Sequence, residues 1–468
     1  MNPFFITLIL SIITNLIIKP AWVFTENKIQ DHLGHQQMGF FAAIFAFSGI
    51  FLVLSDLGMS QWNVKEFSGK KDLLNQELSK IWGSKFLLSL LFFIVSLFFA
   101  FILGYSFEHI RWLFWIVIYQ ILISSIQLQR AQLQSLQLFR TDILLGNLDK
   151  AILLILCLFL LQTQQMNFIF FIDSLLLSAL IPFILGGFIL SRYLKIKKLN
   201  WDFQFLINTS KEFLPFAIMT ILFSTNERIN QVLIEKIAGE TESGLFAGAY
   251  RWNNAIAMYL WTILPIFFAK FSHNKLDPPL NQSLFHLGWV IVAIPILFVA
   301  FWVQFYGEIL FIQFSNSNSA EIQKMFLLLK ILIATVALNA CFNIFSTWLT
   351  ASGFVHQTNK ILFIAMSSNF FLSFILIPLY KSVGGSVALL AAFIIQSLGF
   401  FYYFLKHKNF NLEPKIFIKS VFVLISGIFL LFLGYKINLH WFLNTVVCIV
   451  WITVFLFAMK LIQWKKTD

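Results

Sequence analysis

Cysteine is scarce in this chain of 468 residues. Cys157, Cys341 and Cys448 each lie inside an apolar stretch, too few and too dispersed for a disulfide framework or a cysteine metal site, and they read as small core hydrophobes. Charge is scarce too: 12% of residues are charged against 59% hydrophobic, and the mean hydropathy of +0.82 exceeds what the surface of a water-soluble fold carries. Fourteen apolar stretches of about 20 or more residues take up roughly two thirds of the length, so no loop has room for a globular domain. These deficits exclude a soluble enzyme and a nucleic-acid binder and leave an integral membrane protein. A basic region after Met1 and a small-residue cleavage site beyond Lys19-Pro20 are also missing, so the first apolar stretch is expected to stay as a span. Without a G-x-x-x-x-G-K-[ST] segment or a cytosolic nucleotide domain, ATP hydrolysis within the chain is excluded and coupling is left to ion gradients or the membrane potential. No His/Cys/carboxylate cluster has metal spacing, and His32 and His35 fall in the first short connection, where they read as solvated loop residues. Neither a metal nor a cofactor is expected.

The spans are placed at 3–24, 38–63, 82–104, 112–137, 142–161, 168–190, 212–235, 243–269, 284–305, 325–352, 361–379, 383–405, 416–434 and 439–459. An even number puts both termini on one side. Connections and tail on that side, with Lys419 at the near end of the thirteenth span, hold twenty of the 33 Lys and Arg residues, the opposite connections hold six (Lys28, Arg111, Lys236, Lys324, Lys381 and Lys436), and the other seven fall within spans. That bias predicts cytoplasmic termini. It also makes most of the +12 net charge a matter of topology and anionic-lipid contact.

An ungapped offset of 205 residues matches Gly34 with Gly239, Gly39 with Gly244, Phe41 with Phe246, Ala42 with Ala247, Lys65 with Lys270, Lys70 with Lys275 and Asp72 with Asp277. Near offset 217, Ser135 and Thr141 match Ser352 and Thr358. Six spans separate the partners each time, so the two units share one orientation, as parallel repeats about an axis along the membrane normal. The expected fold is an all-α polytopic membrane protein of about 14 transmembrane helices: two parallel six-helix lobes, 1–198 and 199–408, around a central cavity, with two additional helices in 409–468.

Charged and polar residues inside spans are costly, so they mark where chemistry is to be sought. Lys19 lies near the outer end of the first span, where its stem either snorkels to the interface or, on the face of Thr7, Ser11 and Asn15, points into a cavity. The seventh span carries Thr220, Ser224, Glu227, Gln231 and Glu235 as one polar stripe with Arg228 beside it; Glu227 and Arg228 also suit a structural ion pair. Arg251 lies some two turns inside the eighth span, three residues before Asn254. The tenth span contributes Thr335, Asn339, Asn343 and Thr347 with Lys330 nearer its outer end, and the fourth adds Gln120, Ser124, Gln127, Arg130 and Gln134. Any single amide here serves equally as glue between helices, but stripes on several helices together favour a hydrated path. Lys85, Asp56, Asp149 and Lys150 read as structural or interfacial. A cavity inventory of Lys19, Arg228, Arg251 and Lys330 with Asn15, Gln231, Asn254, Asn339 and Asn343 suits an anionic head group rich in hydroxyls, whereas a cationic substrate calls for acids.

Gly39-Phe40-Phe41 and Asp56-Leu57-Gly58 at the two ends of the second span resemble the N-terminal half of polysaccharide-biosynthesis flippases of the multidrug/oligosaccharidyl-lipid/polysaccharide exporter superfamily. Pro215, Gly239 and Gly244-Leu245-Phe246-Ala247 are similar to that family's seventh-to-eighth span segment, and Ala351-Ser352-Gly353, Asn369, Pro378 and Gly384-Gly385 to its tenth-to-twelfth. Each motif is degenerate, and their order and spacing carry the likeness. The resemblance implies a flippase of the bacterial inner membrane. It would move an undecaprenyl-diphosphate-linked oligosaccharide, an O-antigen or other surface polysaccharide repeat unit, from the cytoplasmic to the periplasmic leaflet by alternating access. Glycosyltransferases and a polymerase of the same pathway are the implied partners, and Lys19 and Arg251 resemble the basic cavity residues that meet the lipid diphosphate. The seventh-span acid of many relatives corresponds only loosely to Asn226-Glu227-Arg228, leaving Glu227 and Glu235 as the candidates for ion coupling. Two readings compete: a cation-coupled multidrug exporter of the same fold, and a membrane glycan polymerase or ligase, against which the short outer connections of about 13 to 19 residues argue.

Overall fold

A computed structural model describes residues 18, 20–195, 200–273, 278–408, 410–459 and 461, leaving aside the side chains of 209–216 and 273. Most of the first span, with Asn15 and Lys19, lies outside the described residues. Among the described residues the regular structure is entirely helical. In chain order the helices are α1 (20–33), α2 (His35–Phe51), α3 (Met59–Phe67), α4 (Lys71–Ile102), α5 (Phe107–Ser135), α6 (Phe139–Gln162), α7 (Phe168–Ser191), α8 (Phe203–Ala238), α9 (Glu240–His273), α10 (Pro278–Tyr306), α11 (Ser319–Ala351), α12 (Val355–His407), α13 (Pro414–Lys436) and α14 (Trp441–Ala458). In hydrocarbon each backbone donor must be satisfied inside its own segment, which is why such a composition folds this way.

Eleven helical stretches among the described residues are long and apolar enough to cross a bilayer. The stretch from His35 to Phe67 counts once, because a 3-10 turn at Leu52–Ser55 and the left-handed pair Leu57 (φ 44°) and Gly58 (φ 85°) bend a single span into α2 and α3. α8 is not among the eleven; it bears the polar stripe read from the sequence. α12, at 53 residues, would run to about 80 Å, more than twice the hydrocarbon thickness. Lys381 breaks it with φ 52° and ψ −132°, between the eleventh and twelfth expected spans. The chain is an all-α polytopic membrane protein.

The left-handed residues repeat. Gly34 (φ 88°) opens α2 as Gly239 (φ 93°) opens α9, 205 residues on. Gln137 (φ 62°) closes α5 as Gly353 (φ 99°) closes α11, at an offset of 216. The hydrogen bonds match as well: Gln137 N–H to the Gln134 carbonyl and Leu138 to Leu133, against Gly353 to Thr350 and Phe354 to Leu349. Gln164 (φ 56°) and Lys381 (φ 52°) follow at 217. Turn geometry thus carries the repeat into connections where side chains do not match.

The chain divides into two compact units, Met1–Gly244 and Leu245–Asp468, with the division inside α9 after its first turn. In the first, α5 packs on α7 and α3, α2 on α8, and α6 on α7. In the second, α11 packs on α12 and α10, and α13 on α14 and α10. Asn444 fastens the C-terminal pair, donating to the Leu431 carbonyl at 2.9 Å and the Tyr306 hydroxyl at 2.8 Å.

His32 and His35 are not loop residues, and of the two only His32 is exposed. The connection between α1 and α2 is Gly34 alone, so both histidines are helical. His35 is buried with its Nδ1 2.6 Å from Gln30 Nε2, and His32 Nε2 lies 3.1 Å from the Met166 carbonyl.

Candidate functional site

The site is built around the corner where α8 turns into α9. Gly239 supplies the left-handed conformation that a one-residue turn between long helices requires. The first turn of α9 then lies across the start of α2 at a glycine-to-glycine crossing. A Cβ on Gly39 would run into the Glu240 carbonyl, and one on Gly244 into the His35 carbonyl. Residues 35 and 240, and 39 and 244, are repeat partners, so each helix start accepts the other in the same way. Ser243 Oγ seals the crossing by donating to the Gly39 carbonyl at 2.9 Å, and Gln30 Nε2 donates to the Gly244 carbonyl at 2.8 Å. Gln231, a predicted cavity residue, is spent here: it is buried and its Nε2 donates to the Ser243 carbonyl and hydroxyl.

Deeper in the first unit, α8 presents Arg228 to α2 opposite Gly49, whose missing side chain leaves room for the guanidinium; a Cβ there would strike it. Arg228 lies eleven residues before Gly239, about 16 Å down the helix from the corner, with Glu227 adjoining. A guanidinium at that depth offers forked donors suited to phosphate oxygens.

In the second unit Arg251, half-buried, lies twelve residues after Gly239, about 18 Å along α9, and Asn254 on the same face is exposed. Lys330 lies eleven residues into α11, again about 16 Å from its end, with its ammonium 4.0 Å from the Phe326 ring. Asn339 accepts from Gln396 Nε2 at 3.4 Å, tying α11 to α12, while the Asn343 carbonyl accepts from Thr347 Oγ1 at 2.7 Å. Both asparagines are buried.

On the stripe along α5, Gln127 is exposed, while the other members are engaged with protein. Gln120 Nε2 donates to the Phe45 carbonyl at 3.2 Å, Arg130 Nε pairs with Asp142 at 2.7 Å and Gln134 Nε2 donates to the same carboxylate at 2.8 Å. Ser124 Oγ meets Ser55 Oγ at 2.7 Å and also bonds Lys85. Lys85, 2% exposed, donates to the Ser55 carbonyl at 2.8 Å and pairs with Asp56 at 3.4 Å, so the cation holds the bend between α2 and α3.

One cluster escaped the sequence altogether. His109, Glu235 and Glu240 come together at the corner end of the first unit, their nearest ligand atoms all within 4.8 Å of one another. Ser106 caps α5 and so sets His109 in its first turn, Glu235 closes α8, and Glu240 opens α9. His109 and Glu235 are 126 residues apart, and no local spacing announces the meeting. The repeat match of Gly34 and Gly239 was the available signal, since it marks where chain ends converge.

The model of a family described as polysaccharide biosynthesis protein matches residues 6–275. No curated protein matches the sequence. Among solved structures, the fold is similar to the lipid II flippase MurJ in an inward closed conformation: TM-score 0.74 and 16% identity, covering 97% of this chain and 100% of that one. It is similar too to a multidrug resistance MATE family transporter of the MOP superfamily. The inward-facing form gives TM-score 0.62 and 13% identity over 85% and 96% of the two chains, and an outward-facing one 0.61 and 12% over 86% and 94%. At these identities the fold is what is shared.

Proposed function

The chain belongs to the polysaccharide biosynthesis protein family, within the MOP superfamily of flippases and transporters, and on that premise we propose that it flips an undecaprenyl-diphosphate-linked oligosaccharide between leaflets of a bacterial inner membrane. The repeat unit travels from the cytoplasmic to the periplasmic face by alternating access of lobes 1–198 and 199–408, with 409–468 as an appendage and both termini cytoplasmic. The observation that carries this reading is the depth of the cations. Arg228, Arg251 and Lys330 each lie about 16–18 Å inside a helix end, with Glu227 as the acid beside Arg228, which favours a diphosphate over a cationic drug. Lys19 joins them in the proposal by its place in the sequence, and Asn15, Asn254 and Asn343 supply amides toward sugar hydroxyls.

In a strain deleted for this gene, lipid-linked oligosaccharide builds up on the cytoplasmic leaflet and surface glycan is lost. Complementation with Lys19→Ala or Arg251→Ala restores less than about a tenth of the glycan at normal protein level, the loss expected when a charged contact worth about 1.5–3 kcal/mol is removed. Gel profiles of surface glycan, with immunoblots for protein, check this; unchanged glycan in both variants removes their role. The cation-coupled exporter reading draws on Glu227 and the MATE-like fold, and it predicts instead that deletion sensitises cells to cationic drugs while glycan persists.

A further inference from the structure

We propose that His109, Glu235 and Glu240 form a binding site for one divalent transition-metal ion of the zinc type, clamping the corner ends of α5, α8 and α9. His109 Nε2 lies 3.4 Å from Glu240 Oε1 and 3.9 Å from Glu235 Oε1. Both separations exceed a normal hydrogen bond, and a neutral imidazole has one Nε2 proton at most to share between two carboxylates. Zinc held by bonds of about 2.0–2.2 Å spaces tetrahedral ligand atoms about 3.3 Å apart, so these three close on an ion with small side-chain movements.

The atoms that do not face one another are each held from behind. His109 Nδ1 is 2.5 Å from Ser106 Oγ, Glu235 Oε2 accepts from the Tyr105 hydroxyl at 3.1 Å, and Glu240 Oε2 accepts from Gln36 Nε2 at 3.0 Å. When Nδ1–H donates to Ser106, Nε2 is left with a lone pair and with carboxylate oxygens 3.4 Å and 3.9 Å away on two residues, an arrangement that a cation satisfies and a proton shared by one pair does not. Outer partners of this kind orient metal ligands and raise their basicity. The neighbouring Lys236 ammonium, 3.3 Å from the Tyr105 ring centroid, also attracts the Glu235 carboxylate, a pull that a divalent ion at bonding distance outweighs. Glu235 is buried and the other two are half-buried, so the site is enclosed on one side and open to an entering ion on the other. One nitrogen and two carboxylate oxygens suit zinc better than calcium, which takes more oxygens, or copper(I), which takes sulfur. Water fills the remaining position.

The test is zinc chloride added to the full-length protein, purified with a histidine-free tag in lipid nanodiscs. The wild type should bind one more zinc per chain than His109→Gln and gain several degrees in Tm at saturating zinc. Glu240→Gln should weaken binding about 10–100-fold. As an isosteric change at a half-exposed residue, it carries the test should His109→Gln fail to fold. Equal zinc content and equal Tm gain in wild type and Glu240→Gln overturn the proposal, as does a wild type that takes up no zinc at tens of micromolar. Neither result bears on glycan transport, so this site and the flippase reading stand or fall separately.

Discussion

On the flippase reading, Gly244→Val is expected to abolish glycan export and to strip most of the folded protein from the membrane. The added Cβ would occupy the space of the His35 carbonyl, with the His35 Cα and carbonyl carbon close behind it, and a backbone group at a helix start has no rotamer into which to retreat. α2 and the first turn of α9 would have to separate, breaking the bond from Ser243 to the Gly39 carbonyl and leaving buried Gln30 without its Gly244 acceptor. Overpacking of this kind costs about 3 kcal/mol, and orphaned buried polar groups add to it. Gly39→Val, its repeat partner, behaves alike because its Cβ meets the Glu240 carbonyl. Gly69→Ala is the control: no atom lies within 4 Å of a Cβ there, so only the left-handed backbone at φ 73° exacts a cost, about 1–2 kcal/mol. Fluorescence-detected size exclusion of tagged variants, alongside surface-glycan gels, separates the three. A monodisperse, exporting Gly244→Val contradicts the crossing.

Lys85→Met is expected to cost nearly as much, for an electrostatic reason. The ammonium is 2% exposed, and it bridges the Ser55 carbonyl, Asp56 and Ser124, groups on two helices that meet where the second span bends. Removing one member of a buried pair costs about 3–5 kcal/mol because the other is left charged in a poor solvent. Asp56 keeps a fifth of its side chain exposed, which places the loss at the low end, about 3 kcal/mol. Asp56→Asn added to Lys85→Met removes the stranded charge and recovers part of that loss. Thermal melts of the two single variants and the double variant, treated as a mutant cycle, give the coupling; strictly additive losses would mean that the pair is not linked.

The spans were legible in the sequence because an apolar run of bilayer length has one stable fate, and the repeat because glycines at 34 and 239 and at 39 and 244 are bound to backbone conformation and close approach. Which face of each helix is buried was not legible. With lipid as solvent both faces are apolar, so the amphipathic period that marks a core in water is lost: Phe92 and Phe98 share α4, the first fully buried and the second 57% exposed. The polar stripes had the same ambiguity. Gln231 and Asn339 satisfy the pattern of a water-lined path while bonding Ser243 and Gln396. Lys85 and Asp56 read correctly as structural, since a buried cation needs a partner and the second span's end supplied one. His32 and His35 were misplaced because a connection shortened to Gly34 leaves no loop for them. The meeting of His109 with Glu235 and Glu240 depends on three helix ends that tertiary packing alone brings together.

The central claim is that the substrate is an anionic lipid-linked glycan. It is tested most directly by reconstituting the purified protein in proteoliposomes that carry a fluorescent undecaprenyl-diphosphate oligosaccharide. The label in the outer leaflet is quenched and the rate at which inner-leaflet label becomes accessible is followed. The account predicts a protein-dependent rate at least about tenfold over empty vesicles, lost in Arg251→Ala and unaffected by a cationic drug. A rate equal to that of empty vesicles, together with protein-driven uptake of the cationic drug, would contradict it.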